Sequence, residues 1–194
     1  MPISLSDFQL TVLNTNVSIN IDCENEDLND FFQNDSIKYQ RELLSKTYCW
    51  VDENKNTIAM VSLSNDNIEL TGTKKRRLFQ REKHFRYYPS VKIGRLGVDK
   101  NFKGFGLGTQ ILSFLKIFFV IKNKTGCRFL TLDAYNNDDV TKFYIKNGFT
   151  FLHEKDKSEK TRIMYFDLIS LYNEVYENFE IKTEYKEAFS NILY

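Results

Sequence analysis

Ile93-Gly94-Arg95-Leu96-Gly97-Val98-Asp99-Lys100-Asn101-Phe102-Lys103-Gly104-Phe105-Gly106-Leu107-Gly108-Thr109 is the stretch on which the reading of this chain turns. It passes from a β-rich run into a glycine-spaced loop and out into a helical pattern. Ser90 to Val98, introduced by Pro89, predicts a strong strand. Asp99 to Gly106 predicts a loop. Leu107 to about Lys122 predicts a helix with Ile111, Leu112, Leu115, Phe118 and Phe119 on its apolar face. Glycines in such a loop allow positive φ and let a ligand approach the backbone. The first N–H groups of the helix have no partner within it, and with the helix dipole they form an anion site. Lys103 adds a positive charge beside it. A diphosphate suits this arrangement. A P-loop is excluded, because G-x-x-x-x-G-K-[ST] is absent. The dinucleotide fingerprint requires Gly or Ala where Thr109 stands and opens directly off its strand. Asp133 does fall about where that pattern places its ribose-binding acid, so a Rossmann-like nucleotide site stays open. So does a tight turn with no ligand.

Working outward, Phe129 to Ala134 predicts a second strand, making a β-α-β unit and hence a parallel pair inside a mixed sheet. Asp138 to Asn147 predicts a short helix headed by Asn137 and ended by Gly148. Thr150 to His153 and Arg162 to Leu168 read as a closing strand pair. Upstream, Phe8 to Val12 reads as a first strand. Glu26 to Leu44 reads as an amphipathic helix carrying Leu28, Phe31, Phe32, Tyr39, Leu43 and Leu44, capped at Asn25. Thr47 to Val51 and Thr57 to Leu63 form a hairpin signal. Ser64 to Tyr88 is polar and basic and is expected to leave the core, with a helical turn or more near Arg77 to Lys83. The fold class is α/β with a mixed sheet. The expected organisation is one domain over residues 1–169, with a basic excursion at 64–89, and a helix-plus-tail extension over 170–194.

The 194 residues suit one domain with a sizeable core. The 17 Phe and 11 Tyr favour packed sheet and helix over disorder. Formal net charge is +1, so no global field points to nucleic acid. The charge is unevenly placed, however. Lys74, Lys75, Arg76, Arg77, Arg81, Lys83 and Arg86 crowd one segment, whereas Asp22, Glu24, Glu26, Asp27, Asp30 and Asp35 crowd another. Cys23, Cys49 and Cys127 show no paired spacing, which fits a reduced, cytoplasmic protein. No signal peptide is read at the N-terminus, and no run is long enough to span a bilayer, so no membrane partner is expected. The two His and three Cys show no ligand spacing, so no metal is expected.

Downstream of the glycine loop runs Leu132-Asp133-Ala134-Tyr135-Asn136-Asn137, followed by Phe143-Tyr144-Ile145-Lys146-Asn147-Gly148-Phe149. With this second motif the chain resembles the GNAT superfamily of N-acetyltransferases. Lys103, Gly106 and Gly108 occupy the family's [QR]-x-x-G-x-[GA] pattern, with Lys in place of Gln or Arg. Phe143, Tyr144, Gly148 and Phe149 occupy its closing F-Y-x-x-x-G-F. The resemblance covers about Thr47 to Leu168. It implies a central mixed sheet splayed at the coenzyme site, flanked by helices, with acetyl-CoA as cosubstrate. It also implies coenzyme contacts from Leu96, Gly97 and Val98, from Lys103, Gly104, Phe105, Gly106, Leu107, Gly108 and Thr109, and from Asn137 and Tyr144. Gly97 is the expected position of a strand bulge, since Gly inside a strand often marks one.

The implied reaction is attack of a neutral amine on the thioester carbonyl. The backbone N–H of Val98 is the expected oxyanion contact, and Tyr144 matches the family's tyrosine that protonates the leaving thiolate. A helical core aromatic is the plainer reading of Tyr144. Many family members carry a Glu on the central strand as base, but Ile93 to Val98 holds no acid, and His84 and His153 are isolated. A low-pKa amine is therefore favoured: an α-amine has a pKa of about 7.7 to 8.0, against about 10.4 for a lysine. The acceptor class is left open among a small molecule, a protein N-terminus or lysine, and the α-amine of aminoacyl-tRNA. The segments Ile21 to Phe32 and Gly94 to Asp99 resemble a toxin subgroup that acetylates the last of these. A homodimer and a small antitoxin are partners that the resemblance allows. A non-catalytic acyl-CoA-binding module is the alternative of another class.

Overall fold

The structure is a computed structural model and describes residues 3–79, 85–121 and 125–177. The described strands form one seven-stranded sheet in the order β1-β2-β3-β4-β5-β7-β6. They are β1 (Gln9–Val12), β2 (Lys46–Val51), β3 (Thr57–Glu69), β4 (Tyr87–Val98), β5 (Phe129–Tyr135), β6 (Thr150–Phe151) and β7 (Thr161–Asp167). Every pairing is antiparallel except β4 with β5, which is parallel as the β-α-β reading requires. This mixed pattern excludes the Rossmann alternative, whose sheet is mostly parallel.

The helices are α1 (Glu26–Asp30), α2 (Ser36–Arg41), α3 (Gly72–Leu78), α4 (Leu107–Ile121), α5 (Asp138–Lys146) and α6 (Ile169–Glu177). Strand alternation divides the buried residues between two faces. Tyr48, Trp50, Ala59, Val61, Val91, Ile93, Leu130, Leu132 and Met164 point to the face covered by α4, where Leu107, Ile111, Leu112 and Leu115 are buried against them. Cys49, Val51 and Met60 point the other way, toward Phe32 beside α1. Phe129 and Tyr165 share that second face with Leu78 of α3.

Three expectations change. The helix expected over Glu26 to Leu44 is interrupted by a π-helical turn at Phe31–Asp35 and ends at Arg41. Leu43 and Leu44 are exposed, Leu43 at 91% with φ of 61°, so the apolar face stops short of them. The chain expected to leave the core at Ser64 stays in the sheet. β3 continues to Glu69 and pairs with β4 from Tyr87, leaving α3 as the described part of the connection. Polar residues hid this pairing because one face of that hairpin meets solvent. Pro89 lies inside β4 without breaking a ladder. Its carbonyl accepts from Arg128 N–H on the β5 side, so its nitrogen faces the same side, where the ladder begins only at Ser90. Arg81, Lys83 and His84, like Lys122 and the tail 178–194, lie outside the described residues.

The third correction concerns the bulge. Ser62 pairs with Arg95 and Leu63 with Ile93, so the extra residue is Gly94, whereas Gly97 sits in regular register opposite Met60. Gly97 lacks a side chain for another reason. A Cβ there would lie 2.5 Å from Cys23 Sγ and 2.7 Å from Phe32 Cε2. The glycine lets the α1 segment press onto β4. Gly97→Ala is expected to lower the unfolding free energy by about 1–3 kcal/mol through overpacking. Urea denaturation measures this, and an unchanged midpoint would show that Phe32 and Cys23 move aside at no cost.

Candidate active site

β4 and β5 are hydrogen-bonded only from Ser90–Lys92 to Phe129–Thr131. Beyond Lys92 the ladder stops and the two strands part. The bulge decides what faces the opening. At Pro89 and Val91 the carbonyls turn to the β5 side, where they accept from Arg128 N–H and Thr131 Oγ1. At the far end Asp99 N–H bonds Ile58 O, so there the odd-numbered residues face β3. The inserted Gly94 has exchanged the two edges. Leu96 and Val98 therefore direct their main-chain groups into the gap.

The gap opens into a cleft of about 660 Å³ lined by Leu96, Val98, Phe102, Lys103, Gly104, Gly106, Leu107, Gly108, Thr109, Asp139, Val140, Phe143 and Tyr144. That size suits a large organic ligand. Its floor is the glycine loop. Gly104 and Gly106 have φ of 82° and 78°, and a Cβ at either would meet no atom within 4 Å. The N–H groups from Gly104 to Thr109 find no partner among the described residues. Alternating left-handed residues with unpaired amides form a nest for an anion, continued by the start of α4. This main-chain array fits a diphosphate.

The sequence-expected residues divide in three. Leu96, Val98, Lys103, Gly104, Gly106, Leu107, Gly108, Thr109 and Tyr144 line the cleft together. Gly97, Phe105 and Asn137 are not among its lining residues. Gly97 is buried under Phe32, Phe105 is 49% exposed at the loop tip, and Asn137 caps α5 by accepting from Val140 N–H. Lys103 lines the cleft but turns its ammonium away: Nζ donates to Cys23 O and to Glu24, each at 2.8 Å. Lys100 pairs with Asp22 at 2.9 Å. The acidic segment thus neutralises the basic residues flanking the loop. Hydrogen bonds from Asn29 and Glu24 N–H, then from Lys100, hold the Asp22 carboxyl far below its usual range.

Sequence reasoning missed Phe102, Asp139, Val140 and Phe143. The signal was present for two of them. Val140, Phe143 and Tyr144 stand at i, i+3 and i+4 on α5 and so share a face. Phe143 also explains Gly108, where a Cβ would approach the Phe143 ring to 3.2 Å. Asn147 Nδ2 reaches Thr109 Oγ1 at 3.3 Å and Phe143 O at 2.9 Å, while Lys116 Nζ donates to Asn147 O at 2.6 Å. These contacts bolt α5 to α4 and fix the height of Tyr144.

The Tyr144 ring packs edge-on against Phe143 and Phe149, with centroids 5.0 and 5.7 Å away. Burial pushes its phenol up to about 12, so it is fully protonated at neutral pH. Asp139 is the only carboxylate among the described lining residues. His153 lies among Lys155, Asp156, Lys74 and Glu69 and does not line the cleft; burial lowers its pKa. No cysteine lines the cleft, and burial pushes the thiols of Cys23 and Cys49 up to about 12 and that of Cys127 to about 11. Transfer through a cysteine thiolate has no candidate here. Among the described residues, no group of His, Cys, Asp and Glu is placed to hold a metal ion, and no helix is long and apolar enough to cross a membrane.

Comparison with solved structures returns the same architecture. AtaT complexed with acetyl-methionyl-tRNAfMet superposes with a TM-score of 0.72 at 20% identity, covering 85% of this chain and 97% of that one. AtaTR bound with AcCoA gives 0.69 at 20% identity, covering 86% and 96%. A structure described as a bacterial toxin gives 0.73 at 15% identity, covering 94% and 99%. No curated protein matches by sequence. The profile of the acetyltransferase (GNAT) domain matches residues 45–151, from the start of β2 through β6 and across the whole cleft. A splayed β4–β5 pair, an amide nest heading α4 and this profile match make the chain a member of the GNAT acetyltransferase family.

Proposed function

We propose that the chain moves an acetyl group from acetyl-CoA to a primary amine by direct attack, with Tyr144 as general acid. The observation that carries this reading is the joining of two features in one cleft: unpaired amides from Gly104 to Thr109, and a protonated phenol at Tyr144. The amides hold the coenzyme's diphosphate. The splay of β4 from β5 admits its arm, and Leu96 and Val98 offer main-chain groups along it. Val98 N–H polarises the thioester carbonyl in this reading as it becomes an oxyanion.

The direction of the final proton transfer follows from the pKa values. A phenol at about 10 giving its proton to a thiolate at about 8.5 runs uphill by roughly 2 kcal/mol in water, and burial of Tyr144 raises that cost. The proton therefore moves as the carbon–sulfur bond breaks. Charge building on sulfur in an apolar cleft raises the thiolate's own proton affinity, which offsets the rise that burial gives the phenol. Phe143 and Phe149 keep the hydroxyl in place without competing for its proton.

Within this reading we favour the α-amine of an aminoacyl-tRNA, in a cytoplasmic protein, with a small antitoxin as a further partner. Similarity to AtaT, described in complex with acetyl-methionyl-tRNAfMet and with an antitoxin, supports it. So does the lining of the cleft, where Asp139 near the start of α5 is the one acid among the described residues. At pH 7 about a tenth of an α-amine is neutral, against less than about a thousandth of a lysine ε-amine. Thiol release from acetyl-CoA, measured at pH 7 with matched amino-acid amides and Nα-blocked lysine, is expected to favour α-amines by at least about tenfold. Equal rates would discard the α-amine preference. Tight coenzyme binding with no thiol release for any amine would favour the non-catalytic module.

A further inference from the structure

We propose that α3 and the β6–β7 loop form a docking surface for the phosphate backbone of RNA, on the sheet face opposite the coenzyme cleft. This deepens the aminoacyl-tRNA reading and rests on it for the choice of RNA.

α3 carries Lys74, Lys75, Arg76 and Arg77 in succession. A helix this short does not form from propensity alone, and like charges on it repel. It is held by inward anchors. Lys74 donates to Phe151 O at 2.7 Å and Leu152 O at 2.6 Å, and lies over the Tyr165 ring. Burial and then the charge of Arg77 pull the Lys74 pKa down. Phe79, just past the helix, stacks on Tyr88 at 4.4 Å, with the Arg128 guanidinium 4.8 Å from its ring. One lysine is thus used to fix the helix. Lys75, Arg76 and Arg77 remain without an ion-pair partner among the described residues.

The loop to which Lys74 is tied exposes Lys155, Lys157 and Lys160. One of its acids, Asp156, is buried against Arg162 at 3.2 Å, which leaves three exposed lysines against Glu159 and Glu154, the latter 86% exposed and 3.9 Å from the same arginine. The far end of the loop is fastened to Asn136, whose Nδ2 donates to Lys157 O and Glu159 O, each at 2.9 Å. Asn136 directly follows β5, at the mouth of the β4–β5 gap. The basic surface therefore runs from α3 to the opening through which an amine reaches the thioester.

The coenzyme's phosphates do not explain these cations, because the amide nest lies at the start of α4 on the other face. Exposed aromatics flank them: Phe85 is 65% and Tyr87 49% exposed, with Arg86 over the Tyr87 ring at 5.1 Å. Cations interleaved with exposed rings suit an unpaired RNA end, whose phosphates are neutralised and whose bases stack. A membrane seated on this surface would close the amine's entrance.

The test uses the full chain, deacylated tRNA as probe, and the variant K75Q/R76Q/R77Q. At about 0.15 M salt its tRNA affinity is expected to fall about 10- to 100-fold, and the salt slope of log K to shrink by about 2. Coenzyme A affinity and acetylation of an amino-acid amide are expected to stay as in the parent. Should that variant lose coenzyme binding through misfolding, K155Q/K157Q/K160Q on the exposed loop decides by the same readout. Unchanged tRNA affinity, absence of tRNA binding by the parent, or binding to phosphatidylserine vesicles instead of tRNA would each overturn the proposal. A parent that releases no thiol with any amine, beside a variant whose salt slope still shrinks, would retain this surface and lose the enzymatic reading.

Discussion

Tyr144→Phe is expected to lower kcat by about 100- to 1,000-fold while changing coenzyme affinity less than about threefold, as loss of a general acid should. The substitution removes one oxygen and keeps the ring. The edge-on contacts with Phe143 and Phe149 survive, so the wall of the cleft keeps its shape. What disappears is the proton that meets the departing sulfur, an interaction made only as the bond breaks. The parent should also show no alkaline loss of rate traceable to this phenol below a pH of about 10, because burial has moved it up to about 12. Thiol release in the steady state and coenzyme binding by calorimetry separate the two effects. A variant with parental kcat would return Tyr144 to the role of a packed aromatic.

Gly106→Glu is expected to weaken coenzyme binding by at least about 100-fold, or roughly 2.7 kcal/mol. Two causes combine. At φ of 78° any side chain strains the backbone, although the space around it is open. The carboxylate also stands among the amides that would otherwise receive the diphosphate. Gly106→Ala isolates the first cause. It is expected to cost about 1–2 kcal/mol of stability and far less affinity than the acidic variant. If the two variants bind coenzyme equally well, charge in the nest is irrelevant and the diphosphate lies elsewhere.

The site was legible in the sequence wherever a motif is local. Gly104 to Thr109 announced an amide nest because its glycines, its short span and the helix that follows are contiguous. Tyr144 announced itself through its place before the closing glycine at Gly148, which has φ of 79°. What escaped was set by contacts between distant segments. No local pattern says that Lys103 turns to Glu24, since the two meet only after α1 docks on β4. Gly97 read as a bulge for lack of any sign that Phe32 needed the space. The Ser64 to Tyr88 segment read as loop because alternation is weak where a strand pair has one solvated face, and length then misled. Leu43 and Leu44 continued a helical period that the π-helical turn at Phe31 had already shifted.

The single inserted residue at Gly94 carries a consequence for how such a protein could lose its chemistry. In a strand, the handed alternation of donors is a parity, and a residue added as a bulge shifts its count downstream while bending the chain. Excising one codon there would leave composition, hydrophobicity and chain direction almost untouched. It would remove the bend opposite Ser62 and Leu63 while Leu96 and Val98 still faced the opening, leaving the ladder to β5 free to run on past Lys92 and close the gap. A descendant with that deletion would keep its sheet and its glycine loop, and would survive as a scaffold that grips a nucleotide without reacting with it.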